Sequence, residues 1–291
     1  MNRRHGMMIG LAAAAAAVVV AGCASLQTDE ADAAVLIKEF SPVDEYYIGR
    51  SVAATVLAQY KPSNDVALNE YVNMVGQVVA MASGRPEIFG GYHFVVLESD
   101  EVTAFAAPGG FVMVTKGLLK CCRSEDALAA VLAHEIAHIE LRHGLYAVKQ
   151  ARMKRAFARN QMTDTMLIHG TRNVQQLNAQ QFNLQMATML GNTTFDITRK
   201  MIRSGYSRKA EEAADRSAVE ILRKAGYDER AILDIFAVMK VKLSGDQRGF
   251  AMTHPAPVDR MEYVKPLVSA DAGKSAPKAR QDRFDEAVRG I

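Results

Sequence analysis

Apolar positions along this chain recur mostly at the helical period. From Val43 onward, Tyr46, Tyr47, Val52, Val56 and Leu57 follow a spacing near 3.6 residues, and the run closes at Lys61-Pro62. A second helix is predicted over 65–82, with Leu68, Val72, Val75, Val78 and Val79 on it, stopping before Gly84-Arg85-Pro86. The pattern then changes. Tyr92 to Glu98 reads as a strand with the apolar centre Phe94-Val95-Val96-Leu97, Ala104 to Gly110 as a turn, and Phe111 to Thr115 as a second strand. A β-hairpin is therefore predicted directly ahead of the next helix. One free strand edge of it could hold an extended peptide by backbone pairing, and the hairpin could equally be an ordinary one packed on that helix; the two readings are compatible.

Leu128, Val131, Leu132, Ile136 and Ile139 carry the spacing of a buried helix. Ser124 suits its N-cap, and Glu125 and Asp126 suit its first turn. After His143-Gly144 the chain turns polar and Met-rich. Lys149, Arg152, Lys154, Arg155 and Arg159 make a basic helical face that fits solvent, a partner or anionic headgroups. Residues 150–200 are expected to be the mobile or lid-like part. Further helices are predicted over 198–222, capped at Ser207, and over 229–243. A rigid loop, Thr253-His254-Pro255-Ala256-Pro257, follows, and a polar tail from Ser269 ends in a short helix over 282–288. The fold class is mainly α with a small β-hairpin or sheet (α+β).

With 49% hydrophobic residues in 291, the chain can bury one sizeable core. A formal charge of +3 and the absence of Trp argue against a nucleic-acid partner. The N-terminus reads as an export signal: Arg3 and Arg4 precede an apolar run from Met7 to Ala21, and small residues lead into Cys23. This ending is similar to a bacterial lipobox, with cleavage after residue 22 and lipid on Cys23; the alternative is an uncleaved anchor with Cys23 incidental. The expected organisation is a lipoprotein signal peptide over 1–22, a lipid-anchored tether over 23–42, a domain over 43–268 and a polar tail over 269–291. No later stretch reaches the ~18 uninterrupted apolar residues of a membrane span. Adjacent Cys121 and Cys122 lie closer than the usual ~4.4–6.8 Å between bridged Cα atoms, so two half-buried thiols are expected before a redox switch.

The chemistry centres on His134-Glu135-Ile136-Ala137-His138, an H-E-x-x-H string inside the buried helix. Two histidines at i and i+4 share a face and can reach one metal ion, and Glu135 beside them can take a proton from water. Two core histidines with ordinary hydrogen bonds are the bland alternative. Glu211 and Asp215 are again i and i+4, so one carboxylate can complete a three-ligand site while the other accepts a ring N–H from a ligand histidine. Their helix also carries Glu212, Arg216 and Glu220, and a charged surface explains the pair equally well. His254 is a lone loop histidine, and most such residues face solvent.

Taken together, Glu45-Tyr46-Tyr47-Ile48-Gly49-Arg50, Tyr71 to Gly76, Ala104 to Phe111, the metal helix, Tyr206-Ser207-Arg208 with Glu211 and Asp215, and His254-Pro255 with Arg260 resemble the HtpX-like and CAAX-prenyl-protease-like zinc metallopeptidases. The resemblance covers about 43–261 and is closest to the soluble periplasmic lipoprotein branch. It implies a zincin-like domain centred on the H-E-x-x-H helix and one zinc ion held by His134, His138 and Glu211. It also implies Glu135 as general base, Asp215 orienting a ligand histidine, and His254 near the open position, either stabilising an oxyanion or closing the resting site. Two departures stand out. The family writes E-x-E-A-D where this chain has Glu211-Glu212-Ala213-Ala214-Asp215, and Thr103 stands where Asn is usual.

The expected activity is zinc-dependent endopeptidase action on polypeptide substrates at the periplasmic side of the cell envelope, on the outer membrane through lipid on Cys23. Misfolded or assembling outer-membrane proteins, or their assembly machinery, are the implied targets. A chaperone-like assembly factor with a latched zinc site is the main alternative, and a structural zinc lipoprotein the second. Glu135 speaks against the latter, because a closed site needs no base.

Overall fold

The structure is a computed structural model that describes residues 40–151, 153–154, 205–242, 253–273 and 276–291. Helix α1 (Pro42–Leu57) begins with a reciprocal cap: Ser41 Oγ accepts from the Asp44 N–H and the Asp44 carboxylate accepts from the Ser41 N–H. It ends at Leu57, four residues short of the expected Lys61. Helix α2 (Val66–Met81) starts where Asp65 accepts the Leu68 N–H, within the predicted bounds.

The sheet corrects the expected hairpin. Strand β1 (His93–Leu97) runs parallel to β3 (Phe111–Thr115), and Ala104–Ala107, read from sequence as turn, is a strand of its own, β2. β2 pairs antiparallel with β3, giving the order β1-β3-β2. Ala-rich β2 has little strand propensity, so its neighbour's backbone decides its state. Only a 3-10 turn, Pro108–Gly110, separates β2 from β3, with Gly109 and Gly110 at φ of 69° and 91°, where side chains are strained. Side chains alternate cleanly between two faces. Phe94, Val96, Ala104, Ala106, Val112 and Val114 join the main core, whereas Leu97, Phe105, Ala107, Phe111 and Met113 join a smaller core under α1.

Thr115 caps the short helix α3 (Lys116–Leu119), after which Cys121 and Cys122 are free and fully buried rather than half-buried. Burial pushes both thiols up, so neither is a reactive thiolate. Helix α4 (Glu125–Glu140) is capped by Ser124 as expected and is buried at every position but its last. It is the central element, packed against α2, β2 and the next two helices. Helix α5 (Arg208–Ala225) is capped by Ser207 and closed by Gly226 at φ 74°. Helices α6 (Ala231–Lys242), α7 (Pro257–Val264) and α8 (Lys278–Ala287) follow, and a further helical stretch begins at His143 just past α4.

α8 starts four residues ahead of the predicted helix and is held to the core. Phe284 is buried, Arg280 donates to Asp126 at 2.7 Å, and Arg283 donates to both oxygens of Glu125. Glu125 also accepts from Tyr71 and Tyr227, each at 3.0 Å. The first-turn acids of α4 are thus buried partners of the C-terminal helix rather than solvated dipole charges. The readings for 1–22, for Cys23 and for nearly all of 150–200 lie outside the described residues.

Candidate metal centre

Two helices and a loop meet at one buried point. α4 contributes His134, Glu135 and His138; α5 contributes Glu211 and Asp215; the loop ahead of α7 contributes His254. One ligand-type atom from each of His134, His138, Glu211 and His254 lies within 4.8 Å of all the others. The loop histidine, which the sequence alone would leave to solvent, has a side chain only 7% exposed.

The distances have a common length. His134 Nε2 and His138 Nε2 are 3.1 Å apart. Glu211 Oε2 is 3.5 Å from His134 Nε2 and 3.7 Å from His254 Nε2, and Glu211 Oε1 is 3.6 Å from His138 Nε2. Ligand atoms ~2.0–2.1 Å from a tetrahedral zinc ion stand roughly 3.4 Å from one another, so the spacing is that of a ligand shell. Glu211 is fully buried, yet neither carboxylate oxygen has a hydrogen-bond partner. Such a carboxylate is costly unless a cation satisfies it. The donor set, imidazole nitrogens and one carboxylate, fits zinc.

The far nitrogen of each histidine is already engaged. His134 Nδ1 lies 2.8 Å from Asp215 Oδ1, His138 Nδ1 lies 2.9 Å from His143 Nδ1, and His254 Nδ1 lies 2.8 Å from Thr253 Oγ1. With Nδ1 of His134 donating to Asp215, its Nε2 lone pair is left facing the cluster. Burial and Arg260 oppose charge on His134, but Asp215 and Glu211 outweigh them and carry it up to about 9. Burial opposes ionisation of Glu211, and the surrounding histidines overcome it, holding its carboxyl well below the usual range. His254 moves the other way from His134, pushed down to about 3 by burial.

Glu135 sits beside the cluster, and burial pushes its carboxyl up to about 7. Its Oε1 has no hydrogen-bond partner, and it lines a cleft together with His138, Tyr206 and His254. An ionisable group poised near neutrality at a cleft can move a proton there. Glu212, the neighbour of Glu211 in sequence, turns outward to an exposed ion pair with Arg216.

Sequence reasoning missed the support around Asp215. Arg260, 1% exposed, donates from Nε to Oδ2 at 2.9 Å and from Nη2 to Oδ1 at 2.6 Å, while Tyr263 Oη donates to Oδ2 at 2.7 Å. Burial disfavours the Asp215 carboxylate, and Arg260 followed by His134 overrides this and keeps it ionised. The Arg260 guanidinium also stacks over Phe236, 4.2 Å from the ring centre. The available signal was the i, i+3 spacing of Arg260 and Tyr263 on a helix opened by Pro257. Tyr206, whose ring stacks on His138 at 4.4 Å and 22°, and His143 were likewise given no role.

The family model for peptidase family M48 matches residues 67–268. The chain is 29% identical over 203 residues to a putative beta-barrel assembly-enhancing protease of Vibrio cholerae serotype O1, covering 68% of this chain and 38% of the relative. It is 28% identical over 200 residues to the beta-barrel assembly-enhancing protease of Escherichia coli K12, covering 68% and 38%. It is 25% identical over 217 residues to the metalloprotease LoiP of the same strain, covering 75% and 77%. The chain therefore spans less than two fifths of the length of the two assembly-enhancing proteases.

Proposed function

Since this chain belongs to peptidase family M48, we propose that it is a zinc-dependent endopeptidase of the bacterial cell envelope acting on misfolded or assembling outer-membrane proteins. The observation that carries the reading is the fully buried Glu211 carboxylate, unpartnered at both oxygens and spaced 3.5–3.6 Å from the Nε2 atoms of His134 and His138. His134, His138 and Glu211 would hold one zinc ion, which when bound supplies Lewis acidity to a peptide carbonyl and acidity to a water.

The chain's own groups do the rest. Glu135 takes a proton from the attacking water and returns it to the leaving amine, a task its raised carboxyl suits. Asp215 accepts the Nδ1 proton of His134 and so selects the tautomer that leaves Nε2 available. Arg260 and Tyr263 keep Asp215 ionised and in place. A substrate segment would lie along the edge of β2 that has no strand partner among the described residues and that borders the cleft. The envelope target follows the names of the assembly-enhancing relatives. Placement in the soluble periplasmic lipoprotein branch, with lipid on Cys23, rests on the N-terminal sequence. Among the described residues no helix is long and apolar enough to cross a membrane.

His254 favours a second reading. Its Nε2 belongs to the same ligand group, 3.7 Å from Glu211, so it can fill the fourth position and latch the site in an assembly factor that seldom cleaves. The test is cleavage of an unfolded model protein by the zinc-loaded chain from residue 24 onward, beside Glu135→Gln. Cleavage lost only in the variant, at equal zinc content, supports the peptidase. No cleavage by either, with zinc held by both, favours the latched reading, and His254→Ala should then release activity.

A further inference from the structure

One sheet edge borders two different walls. Among the described residues β2 is an outer strand, and its side chains alternate: Ala104 and Ala106 face the α4 core, Phe105 and Ala107 face α1. The cleft that reaches Glu135 and His138 continues around this edge onto Val52 and Val56 of α1, with Phe105 and Met113 beside them. α1 is held firmly there. Gly49 packs so closely that an added Cβ would lie 1.7 Å from the Pro108 carbonyl oxygen, and Glu45 accepts two 3.0 Å bonds from Arg85. α1 also precedes the residues 67–268 that the family model spans.

An extended peptide paired to β2 turns successive side chains to opposite faces. If one side chain points toward Glu135 and His138, its neighbours point toward α1. There they meet valine, phenylalanine and methionine side chains, none of which carries a charge. A charged side chain would lose its hydration without a partner, whereas an apolar one is favoured. Resting on the peptidase reading, we propose that α1 forms an apolar subsite, floored by Val52, Val56, Phe105 and Met113, that selects an aliphatic or aromatic substrate residue beside the scissile bond.

The test maps cut sites in an unfolded protein by mass spectrometry, using the zinc-loaded full chain and its Val52→Ala and Val52→Lys variants, with helicity checked in each. The wild type should cut beside apolar residues. Val52→Ala should shift kcat/KM toward larger side chains by about tenfold, the scale of one or two methylenes in such a pocket. Val52→Lys should admit Asp or Glu at that position. Unchanged cut-site residues across all three proteins overturn the subsite while leaving the peptidase intact. If the wild type cuts nothing, the peptidase reading fails, and the subsite is then read from fluorescence anisotropy of labelled Leu-containing and Asp-containing peptides on Glu135→Gln. A preference for Leu that Val52→Lys weakens supports the subsite, and equal affinities overturn it.

Discussion

His138 and His143 face each other through their Nδ1 atoms at 2.9 Å. Only one of the two can carry the proton between them. A His138 that offers Nε2 to a metal must keep its proton on Nδ1, so His143 accepts through a bare Nδ1 and carries its own proton on Nε2. His143→Ala should weaken zinc retention about tenfold or more, the usual cost of losing such a partner. His143→Asn, which restores an acceptor, should recover part of the loss. Competition with a chromophoric chelator measures both, and equal affinity of all three proteins would remove His143 from the site.

Glu211 and Glu212 are neighbours in sequence with opposite surroundings. Glu211 is buried in the cluster, and Glu212 shares an exposed ion pair with Arg216. Glu211→Ala should abolish zinc retention on dialysis against a chelator. Glu212→Ala should leave zinc content unchanged and alter stability by less than about 0.5 kcal/mol, as exposed pairs do. Equal zinc losses in the two variants would show the ligand assignment to be wrong.

The α8 clamp makes stability depend on acid. Burial alone would raise the Glu125 carboxyl, but Arg283, Tyr71 and Tyr227 outweigh it and hold it below its ordinary value. A carboxyl lowered on folding adds stability above its unfolded value near 4.3, and that contribution is lost as pH falls through the folded value. Urea midpoints should therefore be flat above about pH 5 and decline below about pH 4. Arg283→Ala should cost about 1–3 kcal/mol at neutral pH, since it leaves Glu125 short of two bonds. Its acid decline should also be shallower than that of the parent.

Gly49 sets how closely α1 approaches the turn between β2 and β3. With the Pro108 oxygen 1.7 Å from where a Cβ would stand, Gly49→Ala must push α1 outward. The expected cost is about 1–3 kcal/mol, as for other overpacked sites. Because α1 also walls the cleft, the same variant should broaden residue preference beside the scissile bond while zinc content stays unchanged. Thermal unfolding and cut-site mapping read the two effects separately.

What the sequence by itself determined is local. Ser124 and Ser207 announce helix starts because a cap needs only a side-chain oxygen and an N–H three residues on. The i, i+4 pairs His134/His138 and Glu211/Asp215 are legible because helix geometry alone puts each pair on one face. Spacing left Glu211 undecided between a ligand and a surface charge; the packing of α5 on α4 buries it against the histidines. Tertiary structure alone decided the parallel pairing of β1 with β3, which brings together segments separated in sequence, and the strand state of Ala104–Ala107, since alanines carry little strand signal of their own. It also brought Arg260 and Tyr263 onto Asp215 across more than forty residues, and Arg283 onto Glu125 from the C-terminal helix. Those contacts depend on where whole helices come to rest, because a buried charge finds its partner through packing and not through spacing along the chain.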